Sequence, residues 1–160
     1  MPPFARRPRK LFTETPHRRN SRVLIRHANA RTVARDMPTD RTKELGRLGE
    51  RLAAEHFSRL GYRVLGRNHR TRFGELDLIL ADEGGATIVF CEVKSRRLGS
   101  GDWRDNLHER KCQQVRTMAA AWLSEVTDRP FGAELRFDAV GVTIDARGEL
   151  VRLDHLEAAF

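Results

Sequence analysis

The chain has 160 residues, a formal net charge of +8, 39% hydrophobic residues and two cysteines. That length suits one domain, and no run approaches the roughly 18 apolar residues that span a bilayer. No charged-then-apolar signal peptide opens it, and Cys91 and Cys112 lack metal-ligand spacing, so the expectation is a cytoplasmic protein with two reduced thiols.

The basic charge is unevenly placed. Residues 1–35 hold ten Lys/Arg and one acid, Glu14, whereas residues 36–160 hold twenty Lys/Arg and twenty-one acids. The whole excess therefore sits in the N-terminal tail, and any affinity of the remainder for nucleic acid must come from local patches. Residues 1–36 are Arg-rich, with Val23-Leu24-Ile25 as their one short apolar run. Too little surface can be buried to offset chain entropy, which predicts disorder. Such a tail serves as a basic arm on phosphates, or it lies upstream of a start at Met37. The folded domain is expected over 37–160.

A helix is predicted from about Asp40 to Leu60, capped by Thr39 or Asp40 and stopped by Gly61. At about 100° per residue, Leu45, Leu48, Leu52, Ala53, His56, Phe57 and Leu60 share one arc. Glu50 lies at the edge of that arc.

Three strand-like runs follow: Tyr62–Arg67, Glu75–Ala81 and Thr87–Ser95, with a hairpin turn at Asp82-Glu83-Gly84-Gly85. Alternation puts Glu75, Asp77 and Ile79 on one face of the second strand. It puts Phe90, Glu92 and Lys94 on one face of the third. A second helix covers about Leu107–Val126 after a loop at Leu98–Asp105. Lys111 falls within its apolar stripe. Leu135–Ile144 and Leu150–Leu153 read as further strands. The order α-β-β-β-α-β-β predicts an α/β fold, a mixed sheet flanked by helices.

Asp77 and the Glu92-Val93-Lys94 triplet sit inside apolar runs, where charges are costly unless they meet a metal, a partner or a substrate. Hairpin neighbours lie about 5 Å apart, so Asp77 and Glu92 could share a Mg²⁺ if their faces coincide, with the Val93 carbonyl as a third oxygen. The metal would polarise a phosphoryl oxygen and acidify a bound water. Lys94, about 6–7 Å along the strand, could orient that water or neutralise developing charge. The same residues also suit a solvated sheet face with Lys94 as an ion partner.

Other residues carry paired readings. Glu50 could complete the metal shell or be a boundary glutamate. Glu75, on the face of Asp77, could support the metal ligands from behind, but better suits an exposed strand start beside Arg72. Lys111, Arg96 and Arg97 suit backbone phosphates, with snorkelling or a solvated loop as the alternative. Arg63, Arg67, Arg70 and Arg72 form a second basic cluster. Asp138 and Arg136 read as a surface ion pair. His56, His69 and His108 read as isolated.

Several of these pieces together resemble the YraN-like family of small bacterial proteins. They are Gly46-Arg47-Leu48-Gly49-Glu50, Leu60-Gly61-Tyr62-Arg63-Val64, Gly74-Glu75-Leu76-Asp77-Leu78-Ile79, Val89-Phe90-Cys91-Glu92-Val93-Lys94-Ser95-Arg96, Lys111, Arg136-Phe137-Asp138 and the closing His155–Phe160. The resemblance covers about Lys43 to Phe160. It implies a restriction-endonuclease-like fold close to archaeal Holliday-junction resolvases, with a PD-(D/E)xK site. Asp77, Glu92 and Lys94 match that signature, and Glu50 matches the helical Glu that such resolvases add to the metal site. Leu76 stands where the signature has Pro, and Cys91 replaces the usual valine.

The resulting expectation is a Mg²⁺- or Mn²⁺-dependent endonuclease acting on DNA, with branched or damaged DNA as candidate substrates. Asp77 and Glu92 bind metal, Glu50 assists and Lys94 handles the water. Lys111, Arg96 and Arg97 contact phosphates. A C₂ homodimer would supply the two sites that two-strand cleavage needs. The alternatives are a nucleic-acid-binding module of the same fold without hydrolysis, and a metal-dependent hydrolase of small phosphate compounds.

Overall fold

The computed structural model describes residues 20–24 and 38–160. Strand β1 (Asn20–Leu24) precedes helix α1 (Pro38–Arg59), strands β2 (Arg63–Thr71), β3 (Gly74–Ala81) and β4 (Thr87–Arg97), helix α2 (Glu109–Glu125), and strands β5 (Glu134–Ile144) and β6 (Leu150–Leu156). They form one mixed sheet in the order β1-β6-β5-β4-β3-β2. All pairings are antiparallel except β4 with β5. That parallel pair needs a crossover, and α2 supplies it. The α/β class expected from the order of elements is therefore the one observed.

The two helices cover opposite faces of the sheet. Against α1 pack Leu78, Leu80, Val89, Cys91, Val93, Val140 and Val142, closed by Ala53, Ala54 and Phe57 of the helix. Against α2 pack Leu76, Ile79, Ile88 and Phe90, closed by Val115, Met118, Ala119 and Trp122. Burial on both faces explains why β3 and β4 read as near-continuous apolar runs. Cys91 is buried in the α1 layer, as an isostere of valine would be.

Two glycines allow close approach. A Cβ at Gly49 of α1 would stand 1.7 Å from Ser95 Oγ, so only glycine lets the helix close onto β4 here. A Cβ at Gly141 of β5 would stand 2.1 Å from Trp103 Cε2. Trp103 lies in a 3₁₀ turn (Trp103–Asn106) within a stretch expected to be plain loop. Its Nε1 donates to Asp154 at 3.2 Å, and Arg152 pairs with the same carboxylate.

The prediction of disorder over 1–36 fails for five residues. Asn20–Leu24, which include two residues of the Val23-Leu24-Ile25 run, add an edge strand antiparallel to β6, with Asn20 opposite Leu156 and Leu24 opposite Arg152. Backbone pairing to an open sheet edge supplies the partner that the segment lacks on its own. The rest of that tail lies outside the described residues. Helix α1 begins at Pro38, before the expected caps, because Pro is compatible with a first helical turn.

Candidate active site at the parting of two strands

Strands β3 and β4 pair from Ala81↔Ile88 to Leu78↔Cys91 and no further. The next positions in that register are Asp77 and Glu92. The Asp77 side chain takes the place of the ladder, since the Val93 N–H donates to its Oδ2 at 2.7 Å. On the other side of β3, the residues flanking Asn68 pair with the residues flanking Asp77, but those two do not pair. Asn68 has φ of 48°, a left-handed geometry that Asn tolerates better than most residues. The inside–outside alternation also breaks here. Leu76 packs towards α2 and Leu78 towards α1, which strict alternation forbids for residues two apart.

Beside this break, β4 keeps its alternation, so Glu92 and Lys94 follow Ile88 and Phe90 on the face of α2. Glu92 is 2% exposed. Its Oε1 accepts from Lys94 Nζ at 2.6 Å and meets Lys111 Nζ at 2.9 Å. A buried carboxylate that lost both ammonium groups would be strongly destabilising. Lys111, expected at phosphates, reaches Glu92.

Asp77 is half-buried. Its pKa is pushed up to about 7, first by burial and then by the Glu92 carboxylate, against the opposing pull of the Val93 N–H, Lys94 and Lys111. Asp77 and Glu92 thus feel each other across the gap, as the hairpin spacing implies.

Glu50 is not brought into this group. It projects from α1, on the opposite face of the sheet from Glu92, and its Oε2 accepts from Asn68 Nδ2 at 2.9 Å. It lines a groove with Lys43, Arg47, Asn68, Arg70 and Glu75. Among the described residues, no three His, Cys, Asp or Glu side chains gather closely enough to hold a metal ion. Two carboxylates are nevertheless a sufficient protein donor set for Mg²⁺, which keeps waters and takes substrate oxygens. Asp77 and Glu92, two acids that repel each other across a gap, meet that minimum.

Arg96 donates to the Ser100 carbonyl at 2.7 Å and Arg97 to the Asp145 carbonyl at 3.3 Å. Together with Arg41 they line a groove between α1 and the end of β4. Glu75 pairs with Arg70 at 3.2 Å, not with Arg72, whose guanidinium lies 4.7 Å from the centre of the Phe73 ring. His108 accepts from the Lys111 N–H and caps α2.

Two readings are corrected by burial. Asp138 is no surface partner: it is fully buried and accepts from Arg136 Nε at 2.9 Å, Arg136 Nη2 at 2.8 Å and the Ala158 N–H at 3.0 Å. His155 Nε2 lies 2.9 Å from the same carboxylate, and its Nδ1 is 3.2 Å from Nε2 of His56, which is therefore not isolated. Tyr62 completes the network by accepting from Arg136 at 3.0 Å. Burial works to raise the Asp138 pKa, but the hydrogen bonds from His155 and Arg136 hold it below the ordinary value. Six residues spread from position 56 to 158 meet here. Only Arg136 and Asp138 are linked by spacing, two apart on one strand face, and Asp138 between Phe137 and Ala139 is a cue to burial.

The profile of the uncharacterised protein family UPF0102 matches residues 49–142. A UPF0102 protein of Frankia alni is 44% identical over 119 residues, which span 72% of this chain and 93% of the relative. One from Mycobacterium avium is 43% identical over 105 residues, 65% of this chain and 80% of the relative. One from Mycobacterium tuberculosis H37Rv is 38% identical over 117 residues, 71% and 90% of the two chains. The matched span runs from Gly49 through both β3 acids and the β4 triplet to Val142, and so contains every residue of the strand break. The chain therefore belongs to the uncharacterised protein family UPF0102, the YraN-like family that its motifs resemble.

Proposed function

We propose that the chain is a Mg²⁺- or Mn²⁺-dependent endonuclease that hydrolyses phosphodiester bonds in DNA. One observation carries the reading. Asp77, Glu92 and Lys94 meet where β3 and β4 separate, and charged side chains stand there in place of a strand ladder. A broken ladder and a buried charge cluster lower stability, and such costs concentrate at functional sites.

Asp77 and Glu92 would hold the metal, which supplies Lewis acidity to a phosphoryl oxygen and to a bound water. The Val93 N–H fixes the Asp77 carboxylate through Oδ2. Lys94 stands two residues from Glu92 with its ammonium already in the site, where it can orient the attacking water or meet charge growing on the phosphate. Lys111 holds the same oxygen of Glu92 as Lys94 does. Arg96 and Arg97, with Arg41, line a groove suited to flanking phosphates. Near-neutral charge over 36–160 makes such local patches the source of affinity.

A second reading has its own support. Glu92 is already satisfied by two lysines, as in a structural ion cluster, and Glu50 stands apart. That arrangement suits a nucleic-acid-binding module of the same fold without hydrolysis. Incubation of the protein with duplex, single-stranded and four-way-junction DNA in Mg²⁺ or Mn²⁺ separates the two. Cutting that disappears in Asp77→Ala and Lys94→Ala while binding persists supports the enzyme. Binding by the parent with no cutting, and no metal uptake in calorimetry, would leave the binding module.

A further inference from the structure

The hairpin between β2 and β3 ends in Arg72-Phe73, and Phe73 is 39% exposed. A large aromatic ring at a loop tip gains little from burial, yet this tip is built to stay in one place. The Phe73 N–H donates to Thr71 Oγ1 at 3.1 Å, and the same hydroxyl donates to the Gly74 carbonyl at 3.1 Å. Gly74 has φ of 136°, and a Cβ there would stand 2.9 Å from both Gln114 Nε2 and Met118 Sδ of α2. The Phe73 carbonyl accepts from Gln114 Nε2 at 2.8 Å. The tip is thus tied to α2 by a backbone that only glycine permits.

That tie fixes the ring relative to the strand break. Gln114 lines a surface groove with His108, Arg110 and Lys111. Lys111 in turn contacts Glu92. One face of the Phe73 ring carries the Arg72 guanidinium, a cation–π arrangement that also sets a positive charge at the tip. From Phe73 to Glu92 the order along this surface is therefore aromatic ring, cationic groove, reactive acids. An aromatic platform beside cations is the arrangement that binds a nucleic-acid strand, the ring stacking on a base and the cations meeting the backbone. Bases inside a continuous duplex are already stacked, so the platform favours DNA in which a base is free.

We propose that Phe73 is a stacking platform for an unpaired base, and that with Arg72, Arg110 and Lys111 it directs the site to branched or single-stranded DNA. This rests on the endonuclease reading and names its substrate class. A rigid tip has its ordering cost met before the base arrives, which favours binding.

The test uses the full chain carrying Asp77→Asn to prevent cutting. Affinity is measured by fluorescence anisotropy for a four-way junction, a single strand and a continuous duplex of matched length. Phe73→Ala is expected to weaken junction and single-strand binding about tenfold or more, to leave duplex binding unchanged, and to leave the melting temperature in place. Phe73→Trp should restore binding. A 2-aminopurine at the branch point should change emission with the parent and not with Phe73→Ala. Equal affinities of parent and Phe73→Ala for all three DNAs overturn the platform. If the Asp77-intact protein still cuts, the endonuclease reading survives that failure. No binding to any DNA by the parent overturns both.

Discussion

The Asp77 carboxylate accepts the Val93 N–H at 2.7 Å and so occupies the position of a missing strand ladder. Its folded pKa of about 7 lies above the ordinary 3.8. The folded protein therefore holds a proton that the unfolded chain releases. Stability is full below about pH 3.8 and is lost as pH rises towards 7. Asp77→Asn keeps an acceptor for Val93 and removes the charge. We expect it to abolish cutting yet raise the melting temperature of the metal-free protein by about 5 °C near pH 8. The gain should vanish near pH 4, which thermal melts at the two values will show.

Glu92 Oε1 serves two ammonium groups at once. Either lysine competes electrostatically with a metal cation for the carboxylate. Lys111→Met should therefore tighten Mg²⁺ binding several-fold in calorimetry while lowering affinity for DNA. Lys94→Met should also admit the metal but lower the cleavage rate by about 100-fold or more. A Lys94→Met protein that cuts at the parental rate would remove Lys94 from the chemistry.

Asp138 gathers four donor contacts in a site without solvent. Asp138→Ala leaves Arg136 and His155 facing an uncompensated cavity. The expected cost is about 3–5 kcal/mol, read as a lower urea midpoint. The Ala158 N–H loses its acceptor in the same change, so the C-terminal residues should gain protease sensitivity.

His56 answers to pH in the opposite sense to Asp77. Burial, then His155 and Arg59, lower its pKa from 6.5 to about 4. The folded protein refuses a proton that the unfolded chain accepts. Stability from this group is full above about pH 6.5 and falls as pH drops towards 4. His56→Gln should flatten the melting temperature between those values. An unchanged slope would assign the acid sensitivity to other groups.

Gly141 lies under the Trp103 ring. Gly141→Ala forces that ring off β5 and loosens its bond to Asp154. A loss of about 1–3 kcal/mol is expected, accompanied by a red shift of tryptophan emission in the folded state.

The helices, the five strands of the domain and the α/β class were legible because their patterns are local. Apolar residues recur at helical spacing in α1, and β3 and β4 carry unbroken apolar runs. Asp77, Glu92 and Lys94 stood out for the same reason, as charges inside such runs. Other features depend on distant partners. Strand β1 exists by pairing with residues more than 125 positions away. Asp138 looked like half of a surface pair because its three-sided enclosure comes from β6, α1 and the C-terminus. Glu50 looked like a metal ligand from its place at the edge of a helical arc. Which face of the sheet that helix covers could not be read from its own sequence, and the answer sets Glu50 apart from Glu92. Lys111 was visible on an apolar stripe, but its partner was not.

The first and last strands lie side by side, β1 against β6. Among the described residues the sheet therefore finishes in backbone donated by Asn20–Leu24, a segment far from β6 in sequence. A chain starting at Met37 would expose the hydrogen-bonding groups of β6 along five positions.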